Sequence, residues 1–346
     1  MTAGVEILAT AGGATLQDGG RRGYLRYGVH VAGPMDRAAF AMANAAAGAA
    51  PGAAAIEISV GGLELAARGR AVRLAIAGED FIVRHGERRL SDGCVVTVQP
   101  GERLSVKAGA AGMWCYLAFS DRLDLPLALG AHATHARTGI GGLSGRGLRA
   151  GDFLPLAPSA ASPAEGPAEG AFAIADPAAG APIRVMLGPQ DDFFAPDQIA
   201  EFLAAEWTVS PKCDRMAYFL NGPKLAHLKG FNIISDGIAM GAIQVPGNGL
   251  PIVLMADCQP TGGYPKIANV ITADLGRFAQ MRPGTRFRFQ AVVWETAYAA
   301  QRRLLGAMAS MELRALARAP DLSSERLLGL NLVGGVWGPG HEARPL

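Results

Sequence analysis

The chain has 346 residues, half of them apolar and 18% charged, with a formal net charge of +2. That composition can bury a large core and excludes a disordered protein, and the length suits two domains of ordinary size. It holds no basic stripe with interleaved aromatics, which argues against a nucleic-acid partner, and no apolar run of about 18 residues that would span a membrane.

The opening segment MTAGVEILATAGG lacks the basic head and apolar run of an export signal. Four cysteines, Cys94, Cys115, Cys213 and Cys258, lie far apart with no CxxC pair. They read as free thiols in a reducing compartment, and the cytoplasm is the expected location.

Along the chain, 46 Gly and 22 Pro punctuate the sequence at short intervals, as many short strands joined by turns require. The first distinctive stretch, Thr15–Asp36, is polar and rich in glycine. Asp36 then stands as an N-cap before an Ala-rich helix that the pattern places over Asp36–Ala50. Strands are expected at Val72–Ala77, Val95–Gln99, Leu104–Lys107 and Trp114–Phe119. The segment Ala157–Pro182 is low in complexity and reads as a linker. Beyond it come a strand at Ile183–Leu187, a helix at Pro196–Glu206 with an apolar stripe of Ile199, Phe202 and Leu203, and a buried strand at Ile252–Met255. The alternating run Arg286–Val293 reads as one strand with a single buried face, and Thr296–Arg318 as the longest helix. The expected architecture is mainly β, a β-rich α+β fold. Its parts are a β-rich N-terminal domain at 1–157, a linker at 158–182, and a second domain at 183–346 that carries a C-terminal helix and tail.

The familiar chemical signatures are missing. Of six histidines only His132 and His135 are close, in HATH, with no acidic neighbour, so no zinc site is expected. No phosphate-binding GxxxxGK[ST] or GxGxxG follows a strand, and no GxSxG or SxxK nucleophile occurs. Cys258 reads as a small buried thiol.

Two polar, glycine-studded stretches remain. In the first, Gln17, Asp18, Arg21, Tyr24 and Asp36 sit among glycines that let a ligand approach the backbone. Its arginines suit a bidentate clamp on a carboxylate or phosphate. Equally, its Asp–Arg pairs suit an exposed loop that merely holds its own shape. In the second, Asp214 and Arg215 precede a strand, and the buried strand Ile252–Met255 runs straight into DCQPTGGYPK, Asp257–Lys266. Polar groups directly after a buried strand sit at a sheet or barrel mouth, where ligands commonly bind. Gln244 and Gln259 each offer an amide donor and acceptor suited to a lactam or ureido group, with Thr261, Tyr264 and Lys266 beside them. The bland alternative is a self-satisfied turn network.

The long runs TLQDGGRRGYLRYGVHVAGPMDRAAFAMAN, RVMLGPQDDFF, VSPKCDRMAYFLNGP and IISDGIAMGAIQVPGNGLPIVLMADCQPTGGYPKIANVITADLGRFAQMRPG, with the tail LLGLNLVGGV, resemble one family almost end to end. It is the biotin-dependent carboxyltransferase family that includes the C subunit of bacterial 5-oxoprolinase (KipA/PxpC) and allophanate hydrolase subunit 2. The resemblance implies a cyclophilin-like β-barrel in the C-terminal part. It also implies an ATP-using complex with a KipI/PxpB-type and a LamB/YcsF-type subunit, which opens the lactam of 5-oxoproline to glutamate. Two other roles occur in the family: carboxyl transfer to urea or a related amide from carboxybiotin carried on another protein, and antagonism of a KipI-type kinase inhibitor. No cofactor is expected on this chain itself.

The recurrent polar positions of the family fall on Gln17, Asp18, Arg21, Tyr24, Asp36, Asp214, Arg215, Gln244, Asp257, Gln259, Thr261, Tyr264 and Lys266, as a substrate site without assigned catalytic roles. This chain departs from the family pattern at Cys258 and Pro260, at Trp114–Asp124, where an expected Gly-Gly is missing, and at Ala131–Thr134.

Overall fold

A computed structural model describes residues 2–158, 169–174 and 180–315. Two seven-stranded sheets form a sandwich, built from the N-terminal half apart from one short strand near the end of the described chain. One runs, in spatial order, through Arg122–Leu123, Phe153–Ala157, Gly4–Thr10, Leu63–Arg68, Arg103–Ala108, Phe81–His85 and Arg88–Ser91. The other runs through Ala14–Gln17, Ala55–Ser59, Trp114–Phe119, Val72–Ala77, Cys94–Val98, Gly170–Ala171 and Arg314–Ala315. Apolar side chains from both sheets, such as Ile7, Leu65, Ile76 and Leu117, fill the space between them.

The strand Trp114–Phe119 is buried throughout because both of its faces are covered. Successive side chains point to opposite faces of a strand. Cys115, Leu117 and Phe119 therefore enter the sandwich core, while Trp114, Tyr116 and Ala118 face a second core. Helix α1, Arg37–Ala47, lies against that second face. Its alanines let it approach closely. The Asp36 carboxylate accepts from the N–H groups of Ala38 at 3.0 Å and Ala39 at 3.1 Å, and the helix ends at Gly48, which takes the left-handed conformation (φ 76°) that glycine adopts without strain.

The C-terminal half is an eight-stranded, barrel-like sheet in the order Arg286–Phe287, Trp207–Cys213, Ala217–Asn221, Ile252–Leu254, Ala242–Gln244, Lys266–Val270, Ile183–Leu187 and Phe289–Ala291. Its two edge strands are consecutive in the chain. Arg286–Phe287 pairs antiparallel with Trp207–Cys213, and Phe289–Ala291 pairs parallel with Ile183–Leu187. The sheet thus nearly closes on itself, and the single strand predicted at Arg286–Val293 is two short strands divided at Arg288. Trp207, Tyr218 and Phe278 from this half join Phe40, Met42 and Tyr116 in one continuous core.

Helices α2, Pro196–Ala204, and α3, Leu275–Ala279, pack with the barrel, and α4, Trp294–Ala309, follows its closing strand. The helix predicted over Thr296–Arg318 stops at Ala309 because the chain turns there and Arg314–Ala315 extends to pair with Gly170–Ala171. That short strand falls inside the predicted linker, and it also pairs with Cys94–Val98. The rest of the linker at 159–168 and 175–179, and the apolar tail Leu327–Trp337, lie outside the described residues.

Candidate functional site

Arg215 occupies the turn between Trp207–Cys213 and Ala217–Asn221. Asp214 shapes this turn by accepting from the N–H groups of Met216 at 2.7 Å and Ala217 at 3.1 Å. The buried strand Ile252–Leu254 delivers Asp257 beside it. The guanidinium binds Asp257 in bidentate fashion, Nε to Oδ2 at 2.8 Å and Nη2 to Oδ1 at 2.7 Å, the geometry in which arginine and carboxylate fit best. Nη2 also donates to the Gly33 carbonyl at 2.8 Å, and Nη1 to Glu57.

Glu57 is fully buried in the sandwich strand Ala55–Ser59. Its other oxygen accepts from the Tyr116 hydroxyl at 2.8 Å and from the Met35 N–H at 2.9 Å. Burial pushes the Glu57 carboxyl upward, while Arg215 and these donors pull it back. Burial wins and the pKa stays raised, while the three donors converging on its two oxygens favour the ionised form. For Arg215, burial alone would lower the pKa, but Glu57 and Asp257 more than reverse this and hold it above its ordinary value. One cation from the barrel is therefore fixed between a carboxylate of its own half and one from the sandwich.

A second cluster lies where Gln244 faces Lys266 across neighbouring strands. Lys266 is 4% exposed and donates to Asp236 at 2.7 Å. That bond is the main reason the Asp236 carboxyl sits below its usual range. Gln190 reaches both residues, accepting from the Lys266 N–H at 3.3 Å and donating to Asp236 at 3.4 Å. Gln244 is 2% exposed, and its Nε2 has no hydrogen-bond partner among the described residues. The same is true of Gln259 Oε1. Gly262 lies over Gln244, and a Cβ there would come within 2.5 Å of that Nε2. Glycine leaves room for this close approach. Thr261–Gly262 pairs with Asp236–Gly237, and Tyr264 presents a half-exposed ring from the same loop.

The N-terminal candidates make hydrogen bonds mostly to backbone groups, and the buried Arg21 Nη1 has no partner among the described residues. Gln17 is fully buried; it donates to Thr15 Oγ1 at 2.9 Å and the Thr134 carbonyl at 3.0 Å, and accepts from the Gly33 N–H at 3.1 Å. It thereby positions the residue whose carbonyl receives Arg215. Asp18 accepts from the backbone of Gly20 and His132. Arg21 is almost fully buried and donates to the carbonyls of Ala128 at 2.9 Å and Ala133 at 2.8 Å. Asp36 caps α1 and accepts from Gln280 at 2.9 Å, and burial raises its pKa. Tyr24 is partly buried beside Tyr27 and joins neither cluster.

Sequence reasoning missed Glu57, Tyr116, Asp236 and a pair of histidines. The His30 and His135 rings stack 4.4 Å apart at 9°, and Asp257 and the Cys258 backbone interact with His30. Burial, then His135, lowers the His30 pKa, while Asp257 and that backbone oppose the fall. Glu57 left a readable signal as the lone carboxylate in the apolar run AIEIS. Cys258 is 9% exposed, and its thiol is pushed up to about 12, first by burial and then by Asp257, so it is no thiolate nucleophile at neutral pH. Among the described residues no three His, Cys, Asp or Glu side chains converge on a metal position.

Fold and site together define a β-sandwich and a near-closed β-barrel joined by a shared core, with a buried Arg–carboxylate cluster between them. Residues 27–291 match the family described as "Carboxyltransferase domain, subdomain A and B", and the chain belongs to that family. It is 34% identical to the 5-oxoprolinase C subunit of Haemophilus influenzae over 86% of this chain and 94% of that one. To the 5-oxoprolinase C subunit of Escherichia coli it is 36% identical over 80% and 87%. Among solved structures, the urea amidolyase of K. lactis superposes with a TM-score of 0.78 at 27% identity. The match covers 89% of this chain but 20% of that one, so the chain spans about a fifth of its length.

Proposed function

We propose that the chain is the KipA/PxpC-type subunit of an ATP-dependent 5-oxoprolinase-type complex, hydrolysing the lactam of 5-oxoproline to glutamate with a KipI/PxpB-type and a LamB/YcsF-type subunit. The reading is supported by the similarity to two 5-oxoprolinase C subunits over most of their length. The observation that carries it is the buried, unpartnered Gln244 Nε2 beneath Gly262, a ready donor for a lactam or ureido carbonyl. Arg215 uses four of its five N–H groups on Asp257, Gly33 and Glu57, which makes it a positioning residue. Asp257, locked by Arg215, keeps lone pairs for the ring N–H. Removing a donor aimed at a developing oxyanion typically lowers kcat by about 10²–10³-fold.

The test is to co-express the chain with the two partner subunits and measure ATP-dependent glutamate release from 5-oxoproline. Activity that depends on this chain and falls about a hundredfold in Gln244→Leu supports the reading. Activity that survives omission of the chain overturns it.

A second reading, a carboxyltransferase subunit acting on urea or a related amide, is favoured by the superposition on urea amidolyase. It would show as carboxyl transfer from carboxybiotin in place of glutamate release. We also place the protein in the cytoplasm, where ATP is at hand, and propose the division of the chain into a domain at 1–157, a connecting segment at 158–182 and a domain at 183–346. No helix among the described residues is long and apolar enough to cross a membrane.

A further inference from the structure

Away from both clusters, a cleft of about 900 Å³ opens where α1, α3, α4 and the barrel's closing strand meet. Of the candidate site residues only Asp36 lines it. One wall is apolar, built from Met281, Leu304, Leu305 and Met308. Arg37, Arg277, Arg282, Arg286 and Arg288 line the cleft as well. Some of their donors are engaged. Arg277 serves the Pro182 carbonyl at 2.7 Å and Asp274 at 3.1 Å, Arg286 pairs with Glu206 at 3.3 Å, Arg288 donates to the Ala204 carbonyl, and Arg282 Nε donates to Gly112 at 2.7 Å.

Three buried polar atoms of the lining have no partner among the described residues: Arg277 Nε, Arg282 Nη2 and Gln301 Oε1. Leaving such atoms unmet is costly, and a ligand that enters the cleft and draws these side chains toward it would satisfy them. Arg282 Nη2 asks for an anionic acceptor. Gln301 Oε1, on the helix that supplies the apolar wall, asks for an N–H or O–H donor. We propose that this cleft is a second ligand site, for a small carboxylate that carries an apolar group and an N–H donor, as an N-acyl amino acid does. The carboxylate meets Arg282, the N–H meets Gln301, and the apolar group lies on Leu304 and Met308.

The experiment is equilibrium dialysis of the full chain with N-acetyl-L-leucine, its methyl ester and octanoate. Saturable binding of one N-acetyl-L-leucine per chain is expected. It should weaken at least tenfold for the ester, which lacks the charge, for octanoate, which lacks the N–H, and in Arg282→Gln. Leu304→Asp, which lowers the affinity of the apolar wall without touching Arg282, should weaken it similarly, and thermal melting of each variant confirms that it folds. Gln244→Leu, in the other cluster, should bind as the parent does. The site is overturned if N-acetyl-L-leucine shows no saturable binding, or if acid, ester and octanoate bind alike. Equal binding by a folded Arg282→Gln also overturns it.

Discussion

At the scale of single residues, the Arg215 triad sets the terms for change. Glu57 is fully buried, and the side chains of Arg215 and Asp257 are 13% and 11% exposed. Removing one member of a buried ion pair strands the others, at a cost of about 3–5 kcal/mol. Arg215→Met should therefore lose stability of that order in urea unfolding, and adding Glu57→Gln should recover part of it. A loss below about 1 kcal/mol would show that water reaches Glu57 and solvates it. Only part of this was legible in the sequence. Arg215, Asp257, Gln244 and Lys266 stood out by residue type. Gln17, Asp18 and Arg21 have the same polar character, yet their hydrogen bonds fix loops, because partners such as Thr134 and Ala133 lie more than a hundred residues away and a local pattern cannot show them.

At the scale of elements, short apolar runs were a better guide than alternation, which read Arg286–Val293 as one strand where there are two. Val72–Ala77, Trp114–Phe119 and Ile183–Leu187 form over the expected residues, as short, largely apolar runs that include β-branched or aromatic residues favour. Helix length was less legible, because the end of α4 is decided by a pairing partner far away in sequence. The loops carry a pH dependence of their own. The stacked His30–His135 pair lies beside Asp257, and burial followed by His135 holds the His30 pKa below its ordinary 6.5. As pH falls through about 6.5 the unfolded chain takes up a proton that the folded chain resists, so stability declines. At higher pH both states are neutral and this contribution is fully present. Urea midpoints should fall between about pH 7.5 and 5.5, and His30→Gln should flatten that slope. An unchanged slope in the variant would exclude the pair as its source.

At the scale of the whole molecule, the mainly β character was readable from composition and punctuation, whereas the continuity of the core was not. The Tyr218 hydroxyl shows how the halves are tied: it donates to the Ala279 carbonyl at 2.7 Å and accepts from Trp114 Nε1 at 2.9 Å. Tyr218→Phe leaves a buried N–H and a buried carbonyl unmet, at about 1–3 kcal/mol. Because the core is shared, the variant should still melt in one step, with near- and far-ultraviolet circular dichroism midpoints coinciding. Two separated transitions would mean that sandwich and barrel melt independently. The link between Glu57 and Arg215 also has a direction in time. The two residues are 158 positions apart, and at about 5–20 residues per second a nascent chain needs roughly 8–32 s to make the second after the first. Until the first hairpin of the barrel emerges, Glu57 stands with no counterion on the sheet face opposite the sandwich core, beside Tyr116. The core between the two sheets can close without it, but the second face is complete only when the barrel arrives, so the ribosome's pace sets when the Arg215 cluster forms.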